Sequence, residues 1–310
     1  MMKLALPTAR PQSAEGCRLA QVFVALCLLL APAPGFARQH PPSLSPQAPV
    51  SAWMRAIFGN YDAKTRTSRA TVPAGHPDLK GSGFSAGDPI LVYPFWSRVY
   101  GLPAHHEWVF LTYAIPNGPS WQRTFADVAP FSCHSCAPLV GMHLLRKTRN
   151  GWTVGISSNA LTTSGAFGQP SDLTRQIPIG PGVTGIELMD SFGGQGFFEQ
   201  SVYILTFWHS QALLSFHSEF EASDLGACTT HPQHPLPRYG PFPCFHWLKS
   251  LRFQPHPKSA YDDLIITQRG TNLDPKDNSR VLYASGTQTW QYREGKYILV
   301  SQSGPTIPAD

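Results

Sequence analysis

The chain has 310 residues, 42% of them hydrophobic, 12% aromatic and only 14% charged, with 24 Lys and Arg against 19 Asp and Glu. That apolar fraction can fill a core, which excludes general disorder. The 30 prolines and 26 glycines follow no period, which excludes a collagen-like chain and favours short strands joined by turns over a helical bundle.

Residues 1–37 have the layout of a secretory signal peptide. Lys3, Arg10 and Arg18 precede the apolar run Leu19–Ala31, and Pro32, Pro34 and the small-residue stretch Gly35-Phe36-Ala37 follow it. The run is shorter than the ~20 residues of a bilayer-spanning helix, and the prolines end it. Cys27 follows Leu26, where a lipoprotein leader carries a small residue, so it belongs to the apolar run. Cleavage after Ala37 removes three bases and one acid, leaving 21 against 18 and a net charge of +3. No later stretch is apolar and long enough to span a membrane. No run of Lys or Arg forms a stripe, so nucleic acid is not an expected partner. The expected location is the periplasm or the exterior.

Residues 38–88 read as a Pro-rich arm, a short helix and a loop. Ser51 is placed to cap a helix carrying Trp53, Met54, Ile57 and Phe58 on one side and ending at Gly59. The polar stretch Tyr61–Asp88 offers at most one edge strand. Residues 89–310 read as a single β-rich domain. Expected strands are Ile90–Val99, Glu107–Ile115, Leu139–Lys147, Trp152–Ser157, Thr184–Met189, Ser201–Trp208, Ala212–Glu219, Trp247–Phe253, Asp263–Gln268 and Arg280–Ser285, with a last pair near Thr289–Tyr292 and Lys296–Val300. Asn150-Gly151 and Glu294-Gly295 mark tight hairpins. Weak helix signals disfavour a parallel sheet with crossover helices. The fold class is therefore all-β: an antiparallel sandwich, barrel or propeller-like array with a short N-terminal helix.

Four cysteines remain after leader removal: Cys133, Cys136, Cys228 and Cys244. An even count in an exported chain favours disulfides. The two local pairings are the preferred ones, because Cys228 and Cys244 bracket a Pro- and His-rich loop with little regular structure to hold it. Ser132-Cys133-His134-Ser135-Cys136-Ala137-Pro138 carries the sharpest chemistry, and three readings compete for it: a structural disulfide, thiol–disulfide exchange, and a metal site using His134. Pro138 and the strand-like segment after it do not supply the helix N-terminus that thioredoxin-like enzymes use to stabilise a thiolate. Ala137 stands where a c-type haem motif needs His. His231, His234 and His246 lie near Cys228 and Cys244, a copper- or zinc-type ligand set of no diagnostic spacing.

Catalytic motifs occur only as text, so no catalytic residue is assigned. Gly83-Phe84-Ser85-Ala86-Gly87 matches a nucleophile elbow but lacks the strand before it and the helix after it. His105-His106-Glu107 would need a further His at the position of Phe110. Gly193-Gly194-Gln195-Gly196 lacks the Lys and hydroxyl residue of a phosphate loop and reads as a hairpin turn. Trp96, Trp121 and Trp208 are candidates for a glycan platform, although core packing accounts for most aromatic residues at strand positions.

The motif Ser132–Pro138, with Gly151-Trp152, Gly165-Ala166-Phe167-Gly168-Gln169-Pro170, Tyr261-Asp262-Asp263-Leu264 and Gly270-Thr271, resembles a group of uncharacterised exported bacterial proteins. The resemblance covers Phe131–Thr271, implies a Gram-negative envelope setting and carries no activity with it. The sequence thus leads to an exported, disulfide-stabilised envelope protein that binds or builds rather than catalyses. The competing reading is a periplasmic redox or copper- or zinc-handling protein using Cys133, His134 and Cys136.

Overall fold

The computed structural model describes residues 50–74, 84–102, 107–117, 137–166, 168–171, 173–194, 196–225, 228, 244–274 and 276–305. All of them belong to the compact unit Ser43–Asp310. One helix, α1 (Val50–Phe58), precedes β1 (Ser68–Thr71), β2 (Pro89–Leu102), β3 (Glu107–Pro116), β4 (Leu139–Thr148), β5 (Gly151–Thr163), β6 (Leu173–Gly180) and β7 (Val183–Gly194). There follow β8 (Phe197–Trp208), β9 (Gln211–Ser223), β10 (His246–Gln254), β11 (Asp263–Asp274), β12 (Asp277–Tyr283), β13 (Gly286–Arg293) and β14 (Lys296–Ser303). Among the described residues the fold is all-β with one short helix. No described helix is long and apolar enough to cross a membrane.

The strands form two antiparallel sheets. The first runs β1-β2-β3-β4-β5, and the second runs β14-β13-β11-β10-β9-β8-β7-β6, with β12 paired to β11. Most neighbours are consecutive in sequence, because short turns can join only antiparallel strands. Both marked hairpins form. Thr148 pairs with Gly151, and of the Asn150-Gly151 pair only Gly151 has a positive φ, +123°. Arg293 pairs with Lys296 across Glu294 and Gly295, at φ +49° and +89°. Glu294 and Gly295 thus take the left-handed conformations of a primed two-residue turn, whereas the Arg149-Asn150 loop does not and the positive φ falls on Gly151 at its end.

Helix α1 forms where expected, two residues earlier than a cap at Ser51 implies, and its last turn closes with Gly59 N–H on Arg55 O at 2.9 Å. Gly59, at φ +73°, ends it. Its buried face, Trp53 and Met54, packs on one side of the first sheet against Val72, Ile90, Val92, Phe110, Ala114, Leu139, Leu145 and Ala160. Trp53 sits edge-on to Phe110 and to Trp152, with ring centroids 5.3 Å away in both cases.

The opposite face of the first sheet meets the second. Phe95, Val109, Leu111, Val140, Met142 and Leu161 from the first interlock with Ile186, Leu188, Leu205 and Ala212 from the second. Side chains alternate along each strand, so the other face of the second sheet needs a core of its own. The sheet curls to provide one. Ile177 and Ile179 of β6, Val202 and Ile204 of β8, Phe216 and Phe220 of β9, Leu264 and Ile266 of β11, Tyr292 and Tyr297 converge inside the curl. Edge strand β6 reaches the β10–β11 connection, where Asp262 N–H donates to Ile179 O at 2.8 Å.

Two features went beyond the strands read from sequence. β6 was not anticipated, because Pro178 interrupts its pattern; as an edge strand it tolerates the missing N–H. β5 continues past Ser157 to Thr163, and β8 begins at Phe197 rather than Ser201. Gly193 and Gly194 pair with Phe198 and Phe197 as the end of a hairpin, and the positive φ falls at Gly196, +86°.

Candidate functional site

An open cleft on the described surface arises from a mismatch in the second sheet. Strand β10 pairs with β9 only through His246–Leu248 against Ser223–Glu221. Beyond Leu248 the two strands part. The half of β9 running back to Gln211 therefore has β8 on one side and no β10 on the other. The β13–β14 hairpin fills most of that gap, and β14 lies beside β9. A bulge fixes the junction: Leu205 faces Leu214 and Ile204 faces Phe216, which leaves Ser215 over. The Ser215 hydroxyl donates to Gly295 O at 2.6 Å and contacts the Thr206 hydroxyl, which in turn bonds Tyr292 Oη at 2.9 Å.

The space left over is a cavity of about 410 Å³, bounded by Thr162 and Thr163 at the end of β5, Tyr203, Leu214, Phe216 and His217 on β8 and β9, and Trp290, Lys296 and Tyr297 on the hairpin. This lies within the ~300–1,000 Å³ of small-molecule sites. Its walls are mixed, rings alternating with hydroxyl residues and Lys296. Tyr203 and His217 stack with centroids 4.4 Å apart at 15°, and Phe216 stands edge-on to Trp290 at 5.3 Å. Burial, with the nearby Asp190 and Glu199 charges, raises the Tyr203 pKa. Burial also raises that of Tyr297, helped by Tyr292 and by the Asp262 and Asp263 carboxylates. Both phenols therefore stay protonated at any physiological pH. Trp290 Nε1 and Tyr297 Oη are buried and have no hydrogen-bond partner among the described residues. Inside the curl, Tyr261 stacks on Tyr292 at 3.8 Å and 7°, and burial together with Tyr292 pushes the Tyr261 pKa up to about 12.

Two further buried polar groups are structural in character. His143 on β4 is fully buried; its Nε2 bonds Thr112 Oγ1 at 2.9 Å and its Nδ1 bonds Ser157 Oγ at 2.8 Å. Burial lowers its pKa to about 3, so the ring is neutral. Lys249 Nζ donates to Ser218 Oγ at 3.0 Å and lies 5.2 Å from the Trp247 ring. A Ser–Lys pair can act as nucleophile and base, but Ser218 is 0% exposed and gives its own proton to Glu219 O at 3.0 Å. With Gln268 and Gln288 it belongs to the buried polar end of the curl.

The residues singled out from sequence are scattered. Cys228 and Cys244 form a disulfide, with Cα atoms 5.1 Å apart. Asp224 anchors both of its ends: Cys228 N–H donates to Asp224 O at 2.8 Å, and Phe245 N–H to Asp224 Oδ1 at 2.7 Å. His246 is turned to Glu221, 3.0 Å away. Cys133, His134, Cys136, His231 and His234 lie outside the described residues, as do residues 1–37, His105, His106 and Trp121. Among the described residues no three His, Cys, Asp or Glu side chains gather into a metal-binding group. Ser85 stands in a turn, its N–H on Asp88 Oδ2 at 2.7 Å, and strand β2 follows it. Glu107 is buried against Arg146, whose Nε lies 3.1 Å from its Oε1. Trp208 packs against Tyr261 and Tyr292 at 5.6 and 5.5 Å.

Tyr203, His217, Trp290, Lys296 and Tyr297 were not identified as site residues from sequence. Their aromatic alternation is the ordinary signal of a strand face, and nothing local ties the end of β5 to the β13–β14 hairpin. Comparison with known proteins gives no match: no family model, no curated protein and no solved structure is similar to this chain.

Proposed function

We propose that this chain is an exported binding protein of the cell envelope, released from a leader at Ala37, stapled by oxidation in the periplasm or outside the cell, and binding a small, largely apolar molecule in the cavity between β5, β9 and the β13–β14 hairpin. The observation that carries the reading is the 410 Å³ cavity. A cleft of this size, with five rings, three hydroxyl residues and a lysine in its wall, has the room and the mixed lining of a small-molecule site. The leader-like residues 1–37 and the Cys228–Cys244 disulfide support the oxidising location.

Fluorescence titration with the neutral dye N-phenyl-1-naphthylamine tests the reading. The native chain binds it saturably, and Thr163→Tyr, which puts a phenol into the cavity from the end of β5, weakens binding about tenfold or more. Circular dichroism confirms that the variant is folded. No saturable binding, or equal binding by a folded Thr163→Tyr, would overturn it.

A further inference from the structure

We infer that the cavity's ligand is an amphipathic anion: an apolar ring or chain carrying a carboxylate, sulfonate or similar acceptor group, which the Lys296 ammonium meets at the rim. The inference rests on the binding reading above and adds the sign of the ligand's charge. It comes from which hydrogen-bonding roles in the wall are already taken. Among the described residues no Asp or Glu lines the cavity. The two best-placed hydroxyls are committed as donors inside the protein, Ser215 to Gly295 O at 2.6 Å and Thr162 to Thr163 O at 3.2 Å. What remains in the wall is Trp290 Nε1, which can only donate, and Tyr297 Oη, a protonated phenol that can donate, both buried with no partner among the described residues, together with Lys296, which forms no ion pair among them.

The phenols add no negative charge, because burial keeps Tyr203 and Tyr297 protonated. A cationic ligand would meet Lys296 with no carboxylate in the described lining to pair with, since Asp190 and Glu199, which act on Tyr203, and Asp262 and Asp263, which act on Tyr297, do not line the cavity. A neutral hydrocarbon would leave both the indole N–H and the ammonium unmatched. An anion on an aromatic or aliphatic body answers both, and its rings lie against Phe216 and the stacked Tyr203–His217 pair.

The test compares two dyes of one skeleton, 8-anilinonaphthalene-1-sulfonate and N-phenyl-1-naphthylamine, which differ by the sulfonate. Their affinity ratio is measured in the native chain and in Lys296→Met. The ratio of sulfonated to neutral dye affinity falls about fivefold in Lys296→Met, the worth of a partly exposed ion pair. Added salt lowers the ratio in the native chain but not in the variant. A ratio that Lys296→Met leaves unchanged overturns the anion assignment while the cavity reading stands. If neither dye binds the native chain, or a folded Thr163→Tyr binds both as well as the native chain does, the cavity reading fails and the assignment with it.

Discussion

Acidification should destabilise this fold through one side chain, His143. In the unfolded chain its imidazole takes a proton near pH 6.5, whereas in the folded chain burial holds it neutral down to about pH 3. Between those values the unfolded state binds the extra proton, so stability is complete above pH 6.5 and is lost as pH falls toward 3. Each pH unit in that window costs about 1.36 kcal/mol, so two units, to about pH 4.5, cost about 2.7 kcal/mol. Carboxylates titrate over part of the same range, so the assay is a difference: urea unfolding of the native chain and of His143→Gln at about pH 7.5, 6 and 4.5. Gln can keep a donor and an acceptor between Thr112 and Ser157 but does not titrate. At pH 7.5 the variant is less stable by about 1–3 kcal/mol, for imperfectly satisfied buried hydroxyls. That deficit closes or reverses by pH 4.5. Parallel pH profiles for the two proteins would refute the argument.

Replacing Cys228 and Cys244 together by Ser opens a 16-residue separation and lowers stability by about 3 kcal/mol, read as a drop in urea midpoint equal to that of the reduced native chain. A native chain unaffected by reductant contradicts this. Gly270→Ala places a Cβ 2.3 Å from His246 O and 2.6 Å from Trp247 Cα, at φ +124°, and should cost about 3 kcal/mol or more in the same measurement, because backbone on both strands has to move. A loss below about 0.5 kcal/mol would show that β10 and β11 yield easily at this point. Trp53→Ala removes the ring that holds α1 between Phe110 and Trp152 and should cost about 3–5 kcal/mol, with helix amides exchanging hydrogen faster than those of β3 and β4. Equal protection of helix and sheet would contradict the anchoring role.

Most strands were legible as short runs rich in Val, Ile, Phe, Tyr and Trp between turn residues; β3 reads as a continuous apolar run because it is buried on both faces, Phe110 and Ala114 against α1 and Val109 and Leu111 against the second sheet. Helix α1 was legible from apolar residues at helical spacing, with Gly59 as its stop. β6 escaped because Pro178 breaks the pattern, and an edge strand needs fewer of its N–H groups. The end of β5 escaped because Ser158 and Asn159, just beyond the expected Trp152–Ser157, look like loop residues; Ser158 is held in the sheet opposite Met142, a partner brought in from β4. The Cys228–Cys244 bridge could be read because cysteine count and spacing are local facts. The cavity could not. It depends on where β10 leaves β9 and on which strand fills the gap, and it joins Thr163 to Tyr297 across more than a hundred residues. Trp290 and Tyr297 gave the same signal as Tyr292, which is simply packed.

The most direct test of the account asks where a ligand sits. Methyl-selective NMR of the native chain, with N-phenyl-1-naphthylamine added stepwise, reports on Thr162, Thr163 and Leu214 around the cavity and, independently, on the exposed Leu225 and Leu282. The account predicts saturable shifts at the first three that leave the other two in place. Shifts confined to Leu225 and Leu282, with the cavity methyls unmoved, would mean that the dye finds only exposed apolar surface and that the cavity is not a binding site.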